Sequence, residues 1–264
     1  MKGSKYLLAT MFSTTLLVSG LGFNSYASAE TIDQQLQQEE IKLHKEAGMT
    51  QEQIDEFIKV SKEEREFIDK QANNLANKDK QELEELEKSG EIKDLYPKYG
   101  EKEYDSAYIQ ASGKMGTKGD VLVSYEINSG SSSIGVGHAA VVAQNNSNTI
   151  EAWSKGLSPL KQDGVRKFTN KWGNKRKVYG LWVKGASDTK YRNAAKYAES
   201  QASAKKRYNF NFFNKKTTAK FYCSQLAWRA WKNQGKDIDN IKDNIVTPME
   251  LVNSSATKIF QHNL

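Results

Sequence analysis

The 264-residue sequence predicts an α+β protein in which an acidic helical segment precedes a domain of short strands and separate helices. Residues 30–110 contain few glycine or proline residues, and their 22 acidic and 12 basic side chains give a net charge of −10. Residues 111–264 have 10 acidic and 25 basic side chains, a net charge of +15, and contain β-branched runs separated by turn residues. Two stretches of opposite charge indicate two regions with different surfaces.

The first 29 residues predict a signal peptide. Lys2 and Lys5 give a positive start, residues 7–23 are mostly apolar, and residues 27–29 have the small-x-small pattern of a cleavage site. The alternative is an uncleaved membrane anchor, but the apolar stretch is short and contains several Ser, Thr and Gly residues. No later stretch is apolar enough to cross a bilayer. We therefore expect a mature chain without a transmembrane segment, secreted or associated with the cell wall of a Gram-positive bacterium.

The acidic region, residues 30–110, is predicted to be helical. Gly48 is expected to end the first helix, because glycine accepts the left-handed conformation that follows a helix. The Thr50–Gln53 and Ser61–Glu64 pairs resemble capping boxes, which mark helix starts. The apolar positions do not keep a heptad long enough for a coiled coil. We expect short amphipathic helices that form a hairpin or a small bundle.

The basic region, residues 111–264, reads as the main folded domain. Strands are predicted at 120–125, 137–143, 149–153 and 178–183, and helices at 188–204 and 224–235. An Asn-rich turn at 145–148 separates the second and third strands.

Composition limits the chemistry that the chain is expected to perform. One cysteine excludes a disulfide framework and any multi-cysteine metal site, and three scattered histidines do not suggest a histidine-rich one. We therefore predict no metal and no cofactor. Basic clusters at 205–207 and 215–216 are compatible with nucleic acid, but the predicted export argues against it. A solvated basic face, or contact with an anionic cell-wall polymer, is expected instead.

Cys223 is the most informative residue. It lies at the predicted start of a helix, where free amides and the helix dipole stabilise a thiolate and so lower the thiol pKa. A buried structural cysteine is the alternative. A lone thiol is an oxidation liability in an exported protein, so the two interpretations have similar weight on position alone. His138 is the best candidate for a general base, because it is the only histidine within the ordered elements predicted for the basic region.

Glu151 supplies a third candidate. A two- or four-residue loop between the second and third strands pairs residues whose numbers sum to 291, which places Glu151 opposite Ala140 and His138 opposite Trp153. Glu151 and His138 then share a face as diagonal neighbours, with Cα atoms roughly 7–8 Å apart. At that distance a glutamate holds the imidazole tautomer and stabilises the imidazolium. The alternative, a solvated edge carboxylate, fits poorly with apolar neighbours on both sides.

Four segments in a fixed order resemble the YiiX/YycO-type proteins, a circularly permuted branch of the NlpC-like papain-fold superfamily. They are Gly119-Asp120-Val121-Leu122, Gly137-His138-Ala139, Ile150-Glu151-Ala152 and Phe221-Tyr222-Cys223-Ser224-Gln225-Leu226. The histidine precedes the cysteine, as the permuted type requires. The resemblance covers about residues 112–255, including a late Thr-Pro-x-x-Leu segment at 247–251, and does not reach the acidic helices.

The resemblance implies a cysteine hydrolase or transferase with Cys223 as nucleophile, His138 as base and Glu151 as the orienting acid. Tyr208 is similar to a tyrosine that helps to bind the oxyanion in unpermuted relatives, although the two glycines that follow it there are missing here. A core aromatic is the equal alternative for Tyr208, and the Cys223 amide is the safer oxyanion donor. Tyr222 and Trp153 are candidates for the wall of a substrate groove.

The sequence therefore favours a secreted papain-like cysteine hydrolase of amide bonds, with peptidoglycan peptides as substrate. An acyl-lipid or ester hydrolase or acyltransferase of the same fold is a second hypothesis. A non-catalytic module that binds an anionic cell-wall polymer is a third. The acidic helices are expected to dock on the basic domain as an inhibitory segment, or else to act as a spacer or partner-binding arm.

Overall fold

The structure, a computed structural model, describes residues 29–99, 113–125, 132–135 and 137–264, with side chains from residue 34 onward. The predicted signal peptide lies outside the described residues apart from Ala29, and so does the predicted boundary between the two regions near residue 110. No helix in the described part of the chain combines the length and the apolar character that crossing a bilayer requires.

Two helices form most of the acidic region: α1 (Ala29–Glu46) and α2 (Gln51–Ser89). Gly48 has a φ of +94° between them, as expected. Thr50 and Gln53 form the predicted capping box, each side chain accepting the other's backbone N–H. The second predicted capping box is wrong: Ser61 and Glu64 lie inside α2, and Ser61 is buried. The region therefore contains one 39-residue helix where short ones were expected.

Helix α2 ends at a left-handed glycine, Gly90, with a φ of +81°. A one-turn helix, α3 (Ile92–Leu95), follows it.

The basic region contains a six-stranded antiparallel sheet with the order β4-β3-β2-β1-β5-β8. Its strands are β1 (Val121–Ser124), β2 (His138–Val142), β3 (Asn148–Trp153), β4 (Gly164–Thr169), β5 (Val178–Val183) and β8 (Thr257–Asn263). The sequence predicted four of them, and β4 and β8 were missed. Two short parallel strands, β6 (Arg207–Tyr208) and β7 (Lys220–Phe221), pair separately.

Three further helices complete the domain: α4 (Asp188–Ser203), α5 (Cys223–Lys232) and α6 (Pro248–Asn253). Helices α4 and α5 pack against each other and on β2. The odd-numbered residues of β1, β2 and β5 form the larger core with these helices, whereas Leu122, Ala140 and Val142 form a smaller cluster on the opposite face. The fold is thus α+β, as predicted.

The predicted register between β2 and β3 is confirmed. Ala140 pairs with Glu151, Val141 with Ile150 and Val142 with Thr149, so paired numbers sum to 291. The Ala143 N–H donates to the Asn148 carbonyl, which closes a four-residue loop over 144–147. Glu151 therefore lies on the same face of the sheet as His138.

Candidate active site

Cys223 is the first residue of α5, as the sequence predicted for a thiol at a helix start. Its side chain is 5% exposed. Gln225 fixes this helix start, since its Oε1 accepts the Tyr222 N–H at 3.1 Å and its Nε2 donates to the carbonyls of Lys215 and Thr217. These bonds are all buried or partly buried, so the loop over 209–217 and the first turn of α5 are held as one unit.

Tyr222 and Ser224, which flank Cys223 in the chain, both bind the backbone of Val246. The Ser224 hydroxyl donates to the Val246 carbonyl at 2.7 Å, and the Val246 N–H donates to the Tyr222 hydroxyl at 3.1 Å. Burial raises the pKa of Tyr222 well above its ordinary value, so the phenol stays protonated and neutral. The start of α5 therefore positions residues 245–247 beside Cys223.

His138 begins β2 and is fully buried. Gly137 precedes it with a φ of +75°, and a Cβ there would lie 2.4 Å from the Ser124 carbonyl oxygen. Only glycine fits such a close approach in a left-handed conformation. The Ser124 backbone therefore passes close to Gly137 and fixes the position of the neighbouring His138 backbone.

The carboxylate of Glu151 is the centre of a buried hydrogen-bond network. Its Oε2 lies 2.8 Å from His138 Nε2 and accepts the Trp153 indole N–H at 2.9 Å. Its Oε1 accepts the Trp172 indole N–H at 3.0 Å and the hydroxyl of Thr149. Four donors around one buried carboxylate favour its ionised form and fix its orientation.

The protonation states of the pair follow from these contacts. Burial alone raises the pKa of Glu151, but hydrogen bonds and charge from His138, with the bonds from Thr149 and Trp172, lower it to about 2. Burial alone lowers the pKa of His138, yet the interactions with Cys223 and Glu151 outweigh it and raise the pKa. The pair is therefore suited to holding an imidazolium against a carboxylate.

Cys223 lies close enough to the imidazole to raise the pKa of His138. Glu151 occupies Nε2, so Nδ1 is the ring nitrogen left for the sulfur. The three residues that the sequence selected, distant along the chain, are thus brought together.

The cleft at Cys223 is lined by aromatic and small residues. Tyr208 and Tyr222, both selected from the sequence, belong to its wall together with Phe212 and Gly137. The wall also includes Phe57, Ser61 and Glu64 from α2, which the sequence did not predict. Thus both helical and basic regions contribute to the cleft.

Trp153 does not lie in the wall of the cleft, where a residue of a substrate groove is expected. It is buried, its ring centroid lies 3.9 Å from that of His138, and its indole N–H is directed at Glu151. It is not among the residues that line the cleft with Cys223. Its contacts are those of a residue that positions the histidine and the glutamate.

Sequence reasoning missed Trp172. It follows β4 in a short 3-10 turn, is buried, and stacks on His138 with ring centroids 5.9 Å apart and planes 18° apart. No periodicity marks it, because it lies between elements. The one available signal was a tryptophan in an otherwise polar loop, and that signal does not say which residue the indole contacts.

Among the described residues, no group of three or more His, Cys, Asp and Glu is arranged to hold a metal ion. The absence of a cofactor stays a prediction.

Comparison with known proteins identifies the family of this chain. The family described as permuted papain-like amidase enzyme, YaeF/YiiX, C92 family, matches residues 118–262. A search of curated proteins finds no significant match. One similar solved structure is described as the crystal structure of metalloprotein YiiX from Escherichia coli O157:H7. It is 14% identical, with a TM-score of 0.39, over 56% of this chain and 97% of that one. The family match spans more than half of the sequence and contains all three predicted site residues, and the chain belongs to the permuted papain-like amidases of the YaeF/YiiX type, a family of cysteine-peptidase-type enzymes.

Proposed function

We propose that this protein is a secreted cysteine amidase that cleaves peptide amide bonds of the cell wall, with Cys223, His138 and Glu151 as its catalytic residues. The observation that carries the proposal is the buried pair of Glu151 and His138, 2.8 Å apart, with the thiol of Cys223 close enough to the imidazole to raise its pKa. In this arrangement a thiol at a helix start has a base, and the base has an orienting carboxylate.

The reaction follows from the roles of these groups. The Cys223 sulfur attacks the carbonyl carbon after His138 takes the thiol proton, and Glu151 stabilises the resulting imidazolium. Amides in the first turn of α5 stabilise the oxyanion. The tetrahedral intermediate collapses as His138 gives its proton to the leaving amine, which forms a thioester. A water molecule, deprotonated by His138, then hydrolyses the thioester and releases the carboxylate product with the thiol restored.

The choice of cell-wall peptides rests on the predicted signal peptide and on the net charge of +15 of the basic region. A positively charged surface raises the local concentration of anionic polymer and so brings the enzyme to it.

The test compares the wild-type chain with Cys223→Ala and His138→Ala. Each protein is incubated with purified peptidoglycan and, separately, with lipid extract, and new amino groups, new carboxylates and released fatty acids are measured. We expect new amino groups from peptidoglycan with the wild type only, while both variants keep their thermal unfolding transitions. Fatty-acid release instead would assign the acyl-lipid hypothesis. Turnover that survives in the folded Cys223→Ala variant would remove the cysteine mechanism altogether.

A further inference from the structure

Helix α2 places three side chains in the cleft that contains Cys223. Phe57, Ser61 and Glu64 have the i, i+4, i+7 spacing of one helix face, and all three line the cleft. Phe57 is 8% exposed, whereas its neighbour Ile58 is 38% exposed. One face of α2 is therefore inserted into the cleft while the next residue faces solvent.

Phe57 fills an aromatic pocket next to the thiol. Its ring centroid lies 4.7 Å from that of Phe212 in an edge-to-face arrangement, and Phe212 lies 5.0 Å from Tyr222. A Cβ on Gly135 would lie 3.1 Å from the tip of the Phe57 ring, so the ring rests against the Gly135 backbone. A pocket of this kind binds an aromatic or large apolar group through both burial and ring contacts.

Further along α2, Glu64 closes the cleft with a polar contact, since its carboxylate accepts the hydroxyl of Thr247. Thr247 belongs to the segment that Tyr222 and Ser224 position beside the thiol. The open space that remains measures about 30 Å³, enough for no more than a few water molecules. The described residues leave too little room for a peptide chain at Cys223 while α2 is in this position, so turnover requires α2 to move away from the cleft.

The C-terminal half of α2 is held against β8 by ion pairs. Lys258 lies 3.0 Å from Asp79 and 2.6 Å from Glu82, and the Ile259 N–H donates to Asp79 at 2.7 Å. Asp79 lies 22 residues beyond Phe57, or about 33 Å along the helix. The family match begins at residue 118, so these helices lie outside the part of the chain that the family shares.

We propose that α2 occupies the place of the substrate: Phe57 fills a subsite beside Cys223 that binds an aromatic or large apolar group of the substrate, and α2 is an intramolecular inhibitor. This inference rests on the cysteine chemistry of the proposed function, because a subsite implies a substrate, and not on the choice of peptidoglycan, whose common stem peptides carry no aromatic side chain. Its test nevertheless needs no turnover, since the chain has one thiol, and the rate at which that thiol is alkylated reports access to it.

The first experiment alkylates the full chain with iodoacetamide and with N-benzyl iodoacetamide and follows both by mass spectrometry. In Phe57→Ala we expect both rates to rise, and the benzyl reagent to gain about tenfold more than the plain one because its ring enters the vacated pocket. Ile58→Ala, an apolar truncation one residue away on the exposed face, is the matched control and should leave both rates unchanged. Equal gains for the two reagents would overturn the subsite, and unchanged rates would overturn the inhibitor.

A second variant removes these ion pairs and leaves the residues that line the cleft unchanged. Asp79→Ala combined with Glu82→Ala should raise the iodoacetamide rate at least about threefold, with the apparent thiol pKa, read from the pH dependence of the rate, unchanged. Glu84→Ala, which removes a carboxylate paired only with Lys80 on the same helix, is the control and should have no effect. This variant decides the matter if Phe57→Ala fails to fold, and an unchanged rate in it would overturn the inhibitor. If the alkylation results hold but the Asp79→Ala/Glu82→Ala variant, in which the thiol is accessible, cleaves neither peptidoglycan nor lipid, only the proposed function fails.

Discussion

The indole nitrogen of Trp172 lies 3.0 Å from Oε1 of Glu151, the carboxylate whose other oxygen lies 2.8 Å from His138. Glu151 thus orients the imidazole, and Trp172, in the short turn that follows β4, orients Glu151. Trp172 also stacks parallel to the imidazole, with planes 18° apart. One indole therefore controls both the rotation of the carboxylate and the tilt of the ring.

We predict that Trp172→Phe lowers kcat about tenfold and leaves KM unchanged. The phenyl ring keeps the stacking but removes the N–H donor, so Glu151 is less well oriented and the imidazolium is less stabilised. A loss of tenfold corresponds to about 1.4 kcal/mol of transition-state stabilisation. Steady-state kinetics on any cleaved substrate measures it.

Trp228→Phe is the control for this prediction. Trp228 is also buried and donates its indole N–H to a carboxylate, Asp237, at 2.9 Å, but neither residue lines the cleft that contains Cys223. Its kcat should match that of the wild type. An equal loss of kcat in both variants would show that general destabilisation, and not orientation of Glu151, is responsible.

A second prediction concerns acid stability. The pKa of Glu151 in the folded chain is about 2, below its ordinary value of 4.5, so its carboxylate stabilises the fold fully above about pH 4.5. That contribution, roughly 3 kcal/mol for such a shift, is lost as the pH falls from 4.5 through 2. Glu151→Gln cannot ionise and should show a flatter decline in the free energy of unfolding.

Urea unfolding of the wild type and Glu151→Gln between pH 2.5 and pH 6 tests this. The two curves should be furthest apart near pH 5 to 6 and should converge on acidification. Glu56→Gln changes an exposed carboxyl on α2 and should follow the wild type. Curves for Glu151→Gln and the wild type that stay parallel would contradict the assigned pKa.

The central part of this site could be predicted from the sequence because it depends on residues that lie close to one another in the chain. The spacing of His138, an Asn-rich turn and Glu151 is enough to set a hairpin register, and side-chain alternation then determines which residues share a face. The helix start at Cys223 is equally local, since it depends on a few consecutive residues. Both predictions therefore survived without knowledge of the rest of the fold.

The missed features are those that depend on packing between distant segments. Ser61 and Glu64 have the spacing of a capping box, but a helix already in progress overrides that signal, and burial of Ser61 against the cleft fixes the outcome. The strand at 257–263 is polar near its end and pairs only with β5, almost 80 residues earlier. Neither contact can be derived from the residues of one segment.

A third prediction concerns Gln225, the buried residue that ties the start of α5 to the loop before it. Gln225→Ala should lower the free energy of unfolding by about 3–5 kcal/mol, because the Tyr222 N–H, the Asn209 amide and two carbonyls lose their buried partner. Chemical unfolding measures the loss. Gln144→Ala, which removes a bond from an exposed glutamine to Glu199, should change stability by less than about 0.5 kcal/mol. A small effect at Gln225 would mean that water replaces it and that the loop is held by other contacts.

A fourth prediction follows from the charge of Glu64 in the cleft. Burial raises the pKa of Glu64 to about 7, although its hydrogen bond with Thr247 opposes the rise. Titratable groups near it include Glu250, whose pKa burial raises to about 8, and Cys223, Tyr208 and Tyr222 in the same cleft. A carboxyl whose pKa is raised binds its proton more tightly in the folded chain than in the unfolded one. The contribution of Glu64 to the stability of the fold is therefore greatest below about pH 4.5 and is lost as the pH rises through 7.

Glu64→Gln keeps an acceptor for the Thr247 hydroxyl but carries no charge, so it should unfold like the wild type near pH 4.5 and be more stable at pH 8 by roughly 1–3 kcal/mol. Glu63→Gln, on the exposed face one residue earlier, controls for the loss of an acidic side chain from α2 and should show no such divergence. Urea unfolding at both pH values measures the difference. If Glu64→Gln were no more stable than the wild type at pH 8, ionising the Glu64 carboxyl would not lower the free energy of unfolding. Helix α2 would then be held over the thiol equally well at low and at high pH.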